Sequence, residues 1–227
     1  MTTARMTFWL AVLFAGGAAL LPPAGAAEPA SQPVNGCVAE SETKLFDGRS
    51  LAGWKLLDKF SFEKHGPVKV VDGELILAAG APGTGIVWQG KPPRDNYELS
   101  LLARRRAGDD FFCGLTFPVG DEHCTLVLGG WGGSVTGLSN IDDASAVENE
   151  TTGSVTFQQN QWYTIRLRVT PEKITAWVDK EEIVALSRKD RKFAVWWEQE
   201  PARPLGIVTW ETEAGFKDLR LRTFGAR

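Results

Sequence analysis

The sequence predicts an all-β protein, a sandwich or barrel of antiparallel strands with little helix. Three observations point there. From Leu45 onward, β-type runs recur about every 8–14 residues, with turn chemistry between them. Two of these runs alternate apolar and polar residues, and no stretch holds a helical period. The 227 residues include 24 Gly, 12 Pro and 9 Trp, which suits many short elements broken by turns and large flat aromatics fit to stack on sugars.

The chain begins with Arg5, the only charge before Glu28, followed by an apolar run from Met6 to Leu21. Pro22-Pro23 stops the run, and Ala24-Gly25-Ala26-Ala27 offers small residues for cleavage. These are the parts of a secretory signal peptide, and the run is shorter than the ~20 residues of a membrane span. Residues 1–27 are therefore expected to be removed, leaving an exported chain, periplasmic or extracellular, with no membrane span. Residues 28–43, rich in Ala, Pro, Ser and Glu, read as a flexible lead-in, and 44–227 as one domain. The spacing of Cys37 from the apolar run argues against lipidation.

Along the domain, Val68–Val71 and Glu74–Ala78 flank Asp72-Gly73, a hairpin signal. The runs Gly85–Gln89, Tyr97–Arg105, Phe111–Phe117 and Cys124–Leu128 follow. Then come Ser154–Phe157, Trp162–Val169, Ile174–Val178, Ile183–Leu186, Leu205–Trp210 and Phe216–Phe224. That makes about twelve strands. Tyr163, Ile165, Leu167 and Val169 face one way, while Trp162, Thr164, Arg166 and Arg168 face the other. A two-residue turn at Gly120-Asp121 would set Cys113 opposite Leu128 and Cys124 opposite Phe117. That register is too far apart for a disulfide; a bulged register would permit one.

A net charge of -3 gives no support to nucleic-acid binding, and two histidines leave little for a multi-His zinc site. His65 and His123 stand alone, and neither a Gly-x-Ser-x-Gly elbow nor a phosphate loop is present.

Leu45-Phe46-Asp47-Gly48-Arg49-Ser50-Leu51-Ala52-Gly53-Trp54 resembles the F-(D/N)-G-x-x-L-x-G-W opening of the 3-keto-disaccharide hydrolase domain family of exported bacterial proteins. Val71-Asp72-Gly73-Glu74-Leu75, Asn96-Tyr97-Glu98-Leu99, Gln161-Trp162-Tyr163 and Phe216-Lys217-Asp218-Leu219-Arg220-Leu221 resemble its later signatures in order. The resemblance spans about Lys44 to Thr223. It implies a concanavalin A-like jelly-roll sandwich of two antiparallel sheets, and hydrolase or lyase action on 3-keto-glucosides. The acidic strand common in the family is absent here: Thr125-Leu126-Val127-Leu128 stands in that region. No catalytic residue is therefore carried over.

The best local cluster is the acidic loop with Asn140, Asp142, Asp143, Glu148, Asn149 and Glu150. Paired carboxylates there suit acid–base work on a glycoside, with Glu148, Glu150 and Asp142 the catalytic candidates. A solvated polar loop is the plainer reading. A divalent cation such as calcium would also suit so many oxygens, although no cofactor is required. Just upstream, Gly129-Gly130-Trp131-Gly132-Gly133 would hold an aromatic ring outward. Trp131 is thus expected to stack a sugar, with Asn140, Asn149, Arg104 and Arg166 as further substrate-binding residues. Arg104, Arg106, Arg166 and Arg168 form either a ligand-binding row or an outer face paired with acids such as Glu98. Trp196-Trp197-Glu198 reads as a lid or a satellite core. The expected partner is a carbohydrate or oxidised saccharide, taken up by a monomer that acts on it or, alternatively, binds it without catalysis.

Overall fold

The structure, a computed structural model, describes residues 39–225. The expected signal peptide and Cys37 lie outside them. The described residues form fifteen strands: β1 (Ala39–Lys44), β2 (Trp54–Leu56), β3 (Val68–Val71), β4 (Glu74–Leu77), β5 (Gly83–Trp88), β6 (Tyr97–Ala107), β7 (Cys113–Val119), β8 (Glu122–Gly130), β9 (Val135–Ser139), β10 (Gly153–Ser154), β11 (Tyr163–Val169), β12 (Lys173–Val178), β13 (Glu181–Ser187), β14 (Gly206–Trp210) and β15 (Glu213–Phe224). Two short 3₁₀ helices, η1 (Phe60–Phe62) and η2 (Trp197–Ala202), interrupt them.

The strands build two antiparallel sheets. One is eight-stranded, ordered β13-β12-β11-β6-β15-β4-β3, with β1 also on β15. The other is seven-stranded, ordered β10-β9-β8-β7-β14-β5-β2. The long β15 serves two partners along one edge. Residues 214–216 pair with β4, and residues 220–224 pair with β1. A register shift between Lys217 and Arg220 separates the two halves.

Alternation drives the packing. Leu99, Leu101, Ile165 and Leu167 of the first sheet meet Leu115, Leu126, Leu128 and Ile207 of the second in one core. Tyr97, fully buried, donates from its hydroxyl across the sandwich to the Pro118 carbonyl at 2.5 Å. The Asp72-Gly73 turn has positive φ at both residues, as a two-residue type I′ hairpin requires. The turn at Gly120-Asp121 sets Cys113 opposite Leu128 and Cys124 opposite Phe117. Both thiols are free, and burial pushes each up to about 12.

The structure corrects the reading of residues 28–43 as a flexible lead-in throughout. Ala39–Lys44 is a strand on β15, where Glu42 accepts from Arg220 at 2.8 Å and from Arg222 at 2.5 Å. Every residue of β1 is exposed, so it carries no apolar period to read. β2 has only three residues and β9 is buried at four of its five positions and broken by Gly137, so neither holds a readable alternation.

On the outer face of the seven-stranded sheet, Val87, Val127 and Val208 point away from the main core. They pack with Leu57, Phe62 and Phe111 into a second apolar cluster. The helices η1 and η2 lie over this face. Gly206 permits the approach of η2: a Cβ there would sit 2.5 Å from the Ala202 carbonyl.

Candidate active site

Beside η2, the outer face of the seven-stranded sheet opens into a cleft of about 410 Å³. Phe111, which precedes β7, and Trp210, at the end of β14, form one wall, with ring centroids 5.9 Å apart. Val127 and Ser139 contribute to the floor. Trp131 and Trp196 stand at the mouth, 49% and 41% exposed. Three carboxylates line the same space: Asp110, Glu148 and Glu198.

Each carboxylate is fixed by its surroundings. Glu148 accepts from Ser145 Oγ at 2.8 Å. Glu198 accepts from Ser61 Oγ at 3.0 Å and from Trp196 Nε1 at 3.1 Å. Asp110 accepts from the Phe111 backbone N–H at 2.6 Å. Among the described residues, no Lys, Arg or His lines the cleft. Gln199 also lines it, is buried, and has an Oε1 without a hydrogen-bond donor among the described residues. A buried acceptor left open is costly unless water or a ligand satisfies it.

Trp131 sits at φ 48°, a left-handed conformation that is rare for a bulky residue. Its loop is held from beneath by Arg105. Arg105 takes the inward-facing parity of β6, so it is only 6% exposed, and it sends Nη2 to the carbonyls of Gly129 at 3.1 Å and Gly133 at 2.8 Å. Burial lowers its pKa. Gly129 leaves the room: a Cβ there would lie 2.3 Å from Arg105 Nη2.

Of the residues read from the sequence as site candidates, the fold brings Trp131 and Glu148 together. Asp142 and Glu150 turn instead to Arg191, at 2.7 Å and 2.5 Å. The Lys192 backbone N–H, then Arg191, hold the Asp142 carboxyl below the usual aspartate range. Asn149 is a strut: its Nδ2 donates to the carbonyls of Leu138 and Ser145, each at 2.7 Å, and its Oδ1 accepts from Thr151. Asn140 is buried and accepts from Ser139 Oγ at 2.7 Å.

Arg104 and Arg166 lie on the outer face of the eight-stranded sheet, away from the cleft. Arg104 is paired with Glu74 and stacked 4.6 Å from the Trp162 ring; Arg166 lies 4.5 Å from the Trp177 ring. The arginine row is a paired outer face. As for a cation, no three His, Cys, Asp or Glu side chains among the described residues are close enough together to hold a metal ion, and the Asp142 and Glu150 carboxylates already face Arg191.

Sequence reasoning missed Asp110, Glu198 and Gln199. The one local signal was Trp196-Trp197-Glu198, two adjacent large aromatics and an acid in a stretch with no strand pattern.

The architecture is that of the concanavalin A-like jelly-roll sandwiches. A family model, the 3-keto-alpha-glucoside-1,2-lyase-like domain, matches residues 41–222, and the chain belongs to that family. No curated protein matches the chain. Among solved structures, a protein of unknown function with a galectin-like fold from Bacillus subtilis superposes with a TM-score of 0.55 at 11% identity, covering 83% of this chain and 97% of that one. SCLam, a non-specific endo-beta-1,3(4)-glucanase from family GH16, gives 0.53 at 10% identity over 88% and 95%. The Crh5 transglycosylase in complex with NAG gives 0.53 at 12% identity over 83% and 86%. At these identities the likeness is one of fold. No helix of the described residues is long and apolar enough to cross a membrane.

Proposed function

We propose that the cleft binds a saccharide carrying a 3-keto-glucoside unit and eliminates its glycosidic bond, in a protein exported by the segment before Glu28. The observation that carries this is the convergence of Trp131, Trp196 and Trp210 with Asp110, Glu148 and Glu198 around one opening. Flat aromatic faces suit the apolar faces of sugar rings, and carboxylates and Gln199 suit their hydroxyls. Membership of the 3-keto-alpha-glucoside-1,2-lyase-like family supports this choice of substrate class.

A ketone at C3 acidifies the proton at C2. Glu148 is the base in this reading. Its Oε2 is occupied by Ser145 and its Oε1 has no hydrogen bond among the described residues, whereas both oxygens of Glu198 are engaged. Removal of the C2 proton gives an enolate. The enolate collapses to a C1–C2 double bond as the C1–oxygen bond breaks. The proton passes from Glu148 to the departing oxygen, so the carboxylate is regenerated. Glu198, held from two sides, orients the ring by accepting its hydroxyls.

A second reading, a glycan-binding module without catalysis, is favoured by one observation. The strands beneath the cleft present Val127 and Ser139 there rather than acids, and the carboxylates stand on loops and on η2. Assaying Glu148→Gln on 3-keto-α-glucosides separates the two. Loss of turnover with binding retained supports elimination. Binding by the wild type with no turnover supports the module, and neither binding nor turnover contradicts both.

A further inference from the structure

We infer that the cleft continues across the seven-stranded sheet to a second stacking site formed by Phe60 of η1 and Trp197 of η2, so that the ligand is a glycan chain of several units rather than a disaccharide. This rests on the saccharide reading of the cleft. Phe60 and Trp197 are each 59% exposed, the most exposed large aromatics among the described residues. They belong to two helices that pack against each other, and the Ser61–Glu198 hydrogen bond fastens one to the other. Glu198 is also a cleft carboxylate, so the same bond joins this patch to the site.

The strand register gives the direction. Gly130 ends β8 beside the start of β7; Trp210 N–H donates to the Phe111 carbonyl; Trp210 pairs with Gly83; Leu57 N–H donates to the Gly85 carbonyl. Trp131, Phe111, Trp210 and the chain leading into η1 therefore stand at one end of the sheet, in a row across the strands. From β8 to β2 the row crosses four strand spacings, roughly 19 Å.

Phe60 is built as Trp131 is built. Both are bulky residues at positive φ, 54° and 48°, with exposed rings. Strain of this kind persists where surrounding structure enforces it. Phe62, fully buried against Gly83, anchors the turn that presents Phe60. An aromatic at each end of a transverse row, with carboxylates between, matches a chain of alternating ring faces and hydroxyls.

The test is calorimetric titration of the wild type and a Phe60→Ala/Trp197→Ala double variant with α- and β-linked gluco-oligosaccharides of increasing length. The expected result is a gain of about tenfold in wild-type affinity from disaccharide to the longest chain, abolished in the double variant while disaccharide binding stays within about twofold. Disaccharide binding without a length gain, or a gain that the double variant keeps, overturns the extended site and leaves the cleft standing. Failure of every length to bind overturns both. A concentration-dependent dimer that the double variant dissolves would assign the patch to a second copy and overturn the proposal.

Discussion

Arg105 Nη2 donates to the Gly133 carbonyl at 2.8 Å, so a buried cation from one sheet holds the loop that presents Trp131 over the other. Nη2 alone serves both the Gly129 and Gly133 carbonyls, and the shorter lysine stem would not carry its ammonium to that point. Arg105→Lys is expected to lower stability by about 2 kcal/mol and to weaken saccharide binding about tenfold, read by thermal unfolding and calorimetry. Loss of stability with unchanged affinity would show that the loop's hold does not matter to the ligand.

Trp131→Gly removes both the ring and the strain of its left-handed backbone. The expected outcome is a melting temperature within a few degrees of the wild type, with saccharide binding lost. A large stability loss in unfolding curves would mean that the ring packs structurally.

Glu98 is 2% exposed, and Arg168 donates twice to its Oε2, at 3.0 and 2.6 Å. Glu98→Ala strands the Arg166 and Arg168 charges on a partly buried face. It is expected to cost about 3 kcal/mol in denaturant titration. Saccharide affinity should not change, because this face lies opposite the cleft.

Asp142 has a folded-state pKa below its usual value of 3.8, set by the Lys192 N–H and then Arg191. Its contribution to stability is therefore present above about 3.8 and lost as pH falls through the lowered value. Hydrogen exchange at Ile141–Ala144 should stay slow at about pH 5 and accelerate below that window. Arg191→Ala should move the onset to higher pH; an unmoved onset would assign the hold to the Lys192 N–H alone.

The sandwich was legible wherever one side of a strand is core. β11 alternates visibly, Asp72-Gly73 marks its hairpin, and Gly120-Asp121 fixed the Cys113–Leu128 register. β1 was not legible, because an edge strand exposed on both faces has no period. In the site, glycines flanking Trp131 announced an outward ring. Glu148 and Glu150, only two residues apart, end up differently because Arg191, far along the chain, captures Glu150 and not Glu148. No local pattern encodes that pairing. Asp110 and Glu198 were unreadable for the same reason: loops remote in sequence bring them to one opening.

The most direct measurement is a ¹H–¹⁵N spectrum of the indole N–H groups during titration with a 3-keto-α-glucoside. Binding in the cleft predicts shifts at Trp131, Trp196 and Trp210 and none at Trp162 and Trp177, which lie under the arginines of the opposite sheet. Shifts confined to Trp162 and Trp177, or none at any indole, would contradict it.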